Sequence, residues 1–374
     1  MSINTTAYIA IDRTKTLSEE PAKGHNRWHP DIPPIVKVDP GQVVGIETRD
    51  AIDGQIKPTT TADALRHVNL NVVHPLTGPV YVNGAEPGDV LEVTIVEIEP
   101  QPFGFTAQMP GFGFLRDLFT EPHIVRWTLA NGFATSPDLP GVRIPGAPFM
   151  GVIGVAPSPA LLEQINRREA DLSRRGGRVL LPEAAGAVPA DPALARTAVR
   201  TIAPHETGGN VDIKQLTKGT TLRIPVYVPG ALFSVGDAHF AQGDGESCGT
   251  AVEMSATCYC SFNVIKGAAA KLGIRDVQFY RNDYFTSPEM AAPRRFFATT
   301  GQSYTREGVN HSEDATLAAR NALLNMIDHL VAERGFTRQQ AYALCSVAVD
   351  LKISELVDVP NFVVSAFLPL DIFA

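Results

Sequence analysis

The chain has 374 residues, 44% of them hydrophobic and 19% charged, enough apolar content to bury a large core. A net charge of −8, with 32 Lys and Arg and no long basic run, argues against nucleic acid or an anionic membrane surface as partner. Four cysteines outside any CxxC or disulfide pattern, and no signal peptide or apolar run of roughly 18–20 residues, predict a cytoplasmic protein without a membrane span.

The first hundred residues read as strands, with alternating Val and Ile bounded by turn residues. IVKVDPGQVVGIETRD alternates across a turn at Asp39–Gly41, and GPVYVNGAEPGDVLEVTIVEIEP across one at Asn83–Asp89. Residues 101–150 are rich in Gly, Pro and Phe without a steady period, and read as an ordered excursion, a lid or contact surface. LLEQINRREADLSRRG predicts a short helix and PEAAGAVPADPALAR a loop. Strands resume in TLRIPVYVPGALFSVGD, where Pro225 and Pro229 predict an edge or a bulge, and in CGTAVEMSATCYCSFNVIKG. The clearest helix is DATLAARNALLNMIDHLVAERG, with Ala319, Leu323, Ile327, Leu330 and Val331 on one stripe, Ser312 as its N-cap and Gly335 as its stop. Thr337 and Gln340 form the capping box of a second helix. The pattern is strand-rich α+β, with helices concentrated in the C-terminal half. The expectation is one unit over 1–374, with the alternative of an N-terminal β-rich part, 1–200, and a C-terminal part, 201–374, that carries the site motif and the helices.

The segment GDAHFAQGDGES, Gly236 to Ser247, places Asp237, His239, Asp244 and Glu246 within ten residues on a backbone cleared of bulk. If LFSVGDAH is a strand, Asp237 and His239 share a face; Asp244 and Glu246 share a face of the next segment, and a turn at Phe240–Gly243 brings all four together. A His among carboxylates suits Zn, Mn or Fe better than the all-oxygen shells of Ca or Mg. Asp237, His239 and Asp244 then supply three metal ligands, with Asp212 a further candidate, and Glu246 handles protons. The plainer alternative is a polar hairpin whose Asp and Gly residues are turn formers.

Upstream, Gly208-Gly209-Asn210 can present backbone N–H groups to an oxyanion, or simply form a Gly-Gly turn. Cys248, two residues after Glu246, is a candidate nucleophile or a small buried strand residue. Glu253 has the opposite parity along an extended chain and is expected to bond elsewhere unless a bulge brings it back. His74 and His29 either line a pocket or shape turns beside proline, and His205 stands close to the Gly-Gly turn.

Several long segments resemble the acetamidase/formamidase family, most closely its formamidase branch. They are RWHPDIPP, HPLTGPVYVNGAEPGDVLEV, PFMGVIGVAPS, the block from GGNVDIKQLTKG through SVGDAHFAQGDGESCGT, and the C-terminal QAYALCSVAVDLKISELVDVPNFVVSAFLPLDIF. The resemblance implies a fold of packed β-sheets or a barrel, a homo-oligomer, and hydrolysis of short aliphatic amides such as formamide or acetamide. The matching positions are Gly208, Gly209, Asn210, Asp212, Asp237, His239, Asp244, Glu246 and Cys248. His205 departs from it, standing where the family pattern has Arg.

The mechanism expected from residues and resemblance together is hydrolysis by water activated on a divalent ion, zinc above all. Glu246 moves the proton, the region of Gly208, Gly209 and Asn210 stabilises the oxyanion, and Phe233 and Phe240 wall a tight pocket. Two alternatives stand beside it: a Cys248 nucleophile with Glu246 as base and no metal, and a non-catalytic binding or scaffold member of the family.

Overall fold

The computed structural model describes residues 3–283 and 295–373. Its centre is the strand Glu253–Ile265, whose inward residues Met254, Ala256, Cys258, Cys260 and Phe262 are all 1% exposed or less. Such a strand needs cover on both sides, and it has it. It pairs antiparallel with Val90–Gln108 along its whole length, with Val43–Thr48 over its middle, and with Phe233–His239 at its first two residues. From there the sheet continues through Phe149–Gly154 to Gly208–Asn210 and Pro204–His205. In the other direction it runs through His123–Ala130, Phe133–Thr135 and Arg143–Pro145. The ladders among the described strands branch but never return on themselves, so the sheet is open and the barrel alternative is corrected.

The strands that flank the two N-terminal turns do not pair with each other across them. Val36–Val38 runs parallel to Leu76–Val82, whereas Val43–Thr48 joins the central strand. Residues 101–150 are largely sheet. The strand that begins at Val90 carries on to Gln108, with register shifts opposite Pro100 to Gly104 that absorb the proline's missing donor. Proline masked the period there. Thr221–Pro225 is paired on both sides, not an edge, and Pro225 closes the strand.

The helix Pro159–Arg174 forms where the sequence predicts one. The long helix spans Ala315–Arg334 and stops at Gly335 in a left-handed conformation. Its N-cap is Asp314, whose carboxylate accepts the Leu317 N–H at 2.9 Å, in place of the expected Ser312. The helix packs on a separate sheet of Phe296–Gln302, Val363–Pro369 and Asp350–Glu355. The helix Arg338–Ala348, opened by the Thr337–Gln340 capping box, is buried between this layer and the loop that follows His239. No helix of the described residues is long and apolar enough to cross a membrane.

Candidate active site

The strand Phe233–His239 is buried throughout, so its three polar side chains need partners; Ser234 has one in His25 Nε2 at 2.7 Å, which leaves Asp237 and His239. His239 lies directly across the ladder from Glu253 on one side and from Phe149 on the other. Asp237 stands on left-handed backbone, φ +56°, a conformation Asp tolerates better than most residues, and it faces Gly151 of the neighbouring strand. Asp212 (φ +47°) and Glu246 (φ +39°) are left-handed too. Three acids held in sparsely populated backbone around one histidine mark a place where geometry overrides local preference.

The histidine organises the cluster. Its Nδ1 is 2.9 Å from the Gln242 side-chain oxygen, which can only accept, so Nδ1 carries a proton. Gln242 is oriented by donating its own amide to the Asp212 carbonyl at 2.9 Å. Nε2 therefore faces the acids: Asp237 Oδ1 at 3.3 Å, Glu253 Oε2 at 3.3 Å and Glu246 Oε1 at 3.9 Å. None of these contacts is aligned as a hydrogen bond. Nε2, Asp212 Oδ1 and Glu253 Oε2 are buried polar atoms without a partner, and such atoms are rare in folded proteins.

Two triads meet at this nitrogen, Asp237–His239–Glu253 and Asp212–His239–Glu246. In each, one ligand atom per residue lies within 4.8 Å of the others. One imidazole nitrogen among carboxylate oxygens is a donor set for a borderline divalent ion, and the orphaned atoms fit such an ion. Gly151 keeps the space open. A Cβ at that position would lie 2.6 Å from Asp212 Oδ1, 2.6 Å from Asp237 Oδ2 and 2.8 Å from His239 Cε1.

Without a cation the charges balance through protons. Burial works against a charged His239, but Glu253 and Asp237 hold its pKa well above the ordinary range. Burial also pushes Asp212 and Glu253 up to about 7, with the neighbouring acids adding to the effect. Glu246 is raised well above its usual value by burial and by Asp212. Asp237 goes the other way: burial opposes its charge, yet His74 and His239 hold it below the usual carboxylate range.

Asp244 does not join them, which corrects its expected role as ligand. It turns out of the cluster, its Oδ2 3.8 Å from Lys214 Nζ and its N–H donated to Asp350, with about a third of the side chain exposed. The segment after His239 is an irregular loop, so alternation does not carry past Phe240. Glu253, set aside on parity, belongs to the cluster because that loop returns the chain exactly opposite His239. Cys248 Sγ lies 3.6 Å from the Thr250 carbonyl, and burial pushes its thiol up to about 11. Gly208–Asn210 is a strand paired on both flanks, with Val152–Gly154 and with Pro204–His205, not an open turn of free N–H groups. Phe233 packs on Phe262 and Phe240 is buried in the main core; neither lines the pocket. His205 pairs with Glu169 at 2.7 Å, also away from it.

A cavity of about 120 Å³ opens onto the cluster, room for one small organic molecule. Asp237, Glu246, Glu253, His74 and Asn210 form part of its polar lining. His74 donates from Nδ1 to the Thr201 carbonyl at 3.1 Å, which fixes the orientation of its ring. Asn210 donates its amide to the Ile202 carbonyl at 3.1 Å, and its Oδ1 is a further buried acceptor without a partner.

The site is thus a buried carboxylate–imidazole centre, open to a small cavity, in a strand-rich α+β fold. The chain belongs to the Acetamidase/Formamidase family, whose model matches residues 10–374. It is 36% identical to a protein named formamidase from Methylophilus methylotrophus, over 98% of this chain and 93% of that one. It is 37% identical to one named acetamidase from Mycolicibacterium smegmatis, over 90% and 88%. Among solved structures it is similar to a gamma lactamase from Delftia acidovorans, with a TM-score of 0.92, 36% identity, and 98% and 93% of the two chains covered.

Proposed function

We propose that this protein hydrolyses the C–N bond of small amides, yielding a carboxylate and ammonia, with a divalent cation held by Asp237, His239 and Glu253. The observation that carries the reading is His239 Nε2, buried among four acids without a hydrogen bond while Nδ1 is fixed by Gln242. The names of the relatives, formamidase, acetamidase and gamma lactamase, share an amide C–N bond and support the reaction class. A cation in this position supplies Lewis acidity, lowering the pKa of a water and polarising a carbonyl; zinc fits the mixed nitrogen and oxygen donors.

The protein's own groups account for the rest. Glu246 borders the cavity with its carboxyl raised by burial and by Asp212, so a proton taken from the attacking water is held on it and passed to the departing amine. Asp212, whose ligand oxygen is within 4.8 Å of that of Glu246, shares the proton load. Asn210 Oδ1 accepts from the substrate N–H and sets the orientation of the scissile bond. Gly208 and Gly209 act through the strand that places Asn210 and Asp212, a smaller role than direct oxyanion contact. A Cys248 nucleophile is not favoured, because a thiol raised to about 11 provides little thiolate near neutral pH.

The test is ammonia release from formamide, acetamide and longer amides, measured with elemental analysis before and after chelator dialysis. Activity that leaves and returns with about one divalent ion per chain supports the reading. Full activity in metal-free protein refutes it.

A further inference from the structure

We propose that the preferred substrate carries a compact apolar acyl group larger than acetyl, so that this site selects against formamide. The inference rests on the amidase reading and names its substrate class.

The acidic residues are only part of the cavity lining. Ile52, Leu70, Val73, Met109, Phe112 and Ile202 also line it, and all six belong to one hydrophobic cluster, which gives the cavity an apolar wall. Leu70, Phe112 and Ile202 are half-buried side chains at the margin of a hydrophobic cluster separate from the main core, which also holds Ile52, Val73 and Met109. Formamide presents a single hydrogen on its acyl side and covers none of this surface. A propyl or isopropyl group removes it from water, and each buried methylene favours binding by about fourfold.

The wall is held in place by a polar frame, which sets it apart from an incidental greasy crevice. Three consecutive carbonyls of the segment leading to His74 are each captured by a different side chain. Arg200 donates to the Leu70 carbonyl, Arg27 to that of Asn71 at 3.0 Å, and Asn26 to that of Val72 at 3.2 Å. Arg27 is 1% exposed, and all the acceptors its guanidinium reaches are backbone carbonyls, those of Asn26, Asn71, Glu183 and Ala185. Arg200 is 6% exposed and lies opposite Arg27 in the two-stranded ladder of Val199–Arg200 with Arg27–Trp28. Burying two neighbouring guanidinium groups among carbonyls carries a desolvation penalty that burial alone does not offset. The return is a loop whose Leu70, Val73 and His74 all line the cavity. His74 is fixed by the same frame, its N–H and Nδ1 both directed at Thr201. One loop thus sets the apolar wall and a polar contact together, which couples the fit of the acyl group to the placement of the amide.

The experiment is a series of initial rates of ammonia release by the metal-loaded enzyme from formamide, acetamide, propionamide, butyramide and isobutyramide. The expected result is a kcat/KM that rises about fourfold with each added carbon, to about sixtyfold from formamide to butyramide, before the wall is filled. A flat series, or one led by formamide or acetamide, overturns the inference while leaving the amidase reading intact. No hydrolysis of any of these amides overturns both. Leu70→Phe, which adds bulk to the apolar wall from a half-buried position, is expected to cut the butyramide-to-acetamide ratio by tenfold or more. An unchanged ratio in an active Leu70→Phe protein removes the wall from specificity.

Discussion

Gly151→Ala adds one methyl group and tests the centre of the site without touching a charged residue. Gly151 lies within the strand Phe149–Gly154 and does not have a positive φ, so alanine fits its backbone and the cost is steric. The new Cβ would stand 2.6 Å from an oxygen of Asp212 and 2.6 Å from one of Asp237, and ordinary contact begins at 3.4 Å, so those atoms must together yield by about 0.8 Å each. Overpacking of this kind costs about 1–3 kcal/mol of stability. Displacement of reacting groups by nearly an ångström lowers the rate by about a hundredfold. The expected variant is folded, melts a few degrees lower, holds less divalent ion and loses about two orders of magnitude in kcat/KM. Gly301→Ala is the control away from the site. Its Cβ would stand 2.1 Å from the Ala318 carbonyl oxygen, between the separate three-stranded sheet and its helix, so stability falls without selective loss of the cation. Parent-like turnover and ion content in Gly151→Ala would refute the placement of the centre.

Further outcomes follow from the same geometry. Glu253→Gln keeps the hydrogen bond that Glu253 accepts from the Ala251 N–H but removes the charge; we expect ion binding and hydrolysis to fall together by at least about a hundredfold, read by elemental analysis and ammonia release. Cys248→Ala is expected to keep kcat/KM within about threefold, and abolished turnover in a folded variant would restore the thiol mechanism. Asp244→Asn, at a side chain about a third exposed and facing Lys214, is expected to leave hydrolysis unchanged and to shift stability by less than about 1 kcal/mol in a denaturant titration. In chelator-treated protein, Asp212 and Glu253 are raised to about 7 when folded, against about 4 when unfolded. Their contribution to stability is fully present below about pH 4 and is lost as the pH rises through 7, so Tm should fall between pH 5 and 8, and adding a divalent cation at pH 8 should restore it. A Tm that stays flat or rises over that range contradicts the protonated cluster.

Strands, helices and caps were readable where a period or a capping signal was local. Thr337 and Gln340 announce their helix within four residues, and the Val and Ile of Val90–Ile98 announce their strand. Pairing was less legible, because turns at Asp39–Gly41 and Asn83–Asp89 say where the chain bends but not which strand receives it. In the site, spacing places Asp237 beside His239 and marks Glu246, all three of which the fold gathers. It misleads on Asp244 and Glu253, since parity has meaning only inside a regular strand and the chain from Phe240 to Thr250 is not one. The Gly151 requirement had no sequence signal of its own; the glycine matters because two other segments, the strand Phe233–His239 and the chain just after Gly208–Asn210, each deliver a carboxylate to its face. Ser312 failed as a cap for a similar reason, since Asp314 two residues on offers a stronger acceptor at the first turn.

The loop carrying Glu246 leans on the last helix of the chain. Ser346 Oγ accepts the Cys248 N–H at 3.0 Å and donates to the Thr250 carbonyl at 2.7 Å, and its own carbonyl receives the Gly243 N–H. Tyr342 donates to the Ser247 carbonyl, and at Gly243 a Cβ would lie 2.2 Å from the Val349 carbonyl oxygen. Neither Ser346 nor Tyr342 borders the cavity, yet both set where Glu246 stands. The loop that carries Glu246 and the helix Arg338–Ala348 are therefore a single structural unit. Grafting the Gly236–Ser247 motif onto another scaffold would transplant the ligands without the clasp that aims them, and shuffling C-terminal segments between relatives would retune the chemistry from a distance.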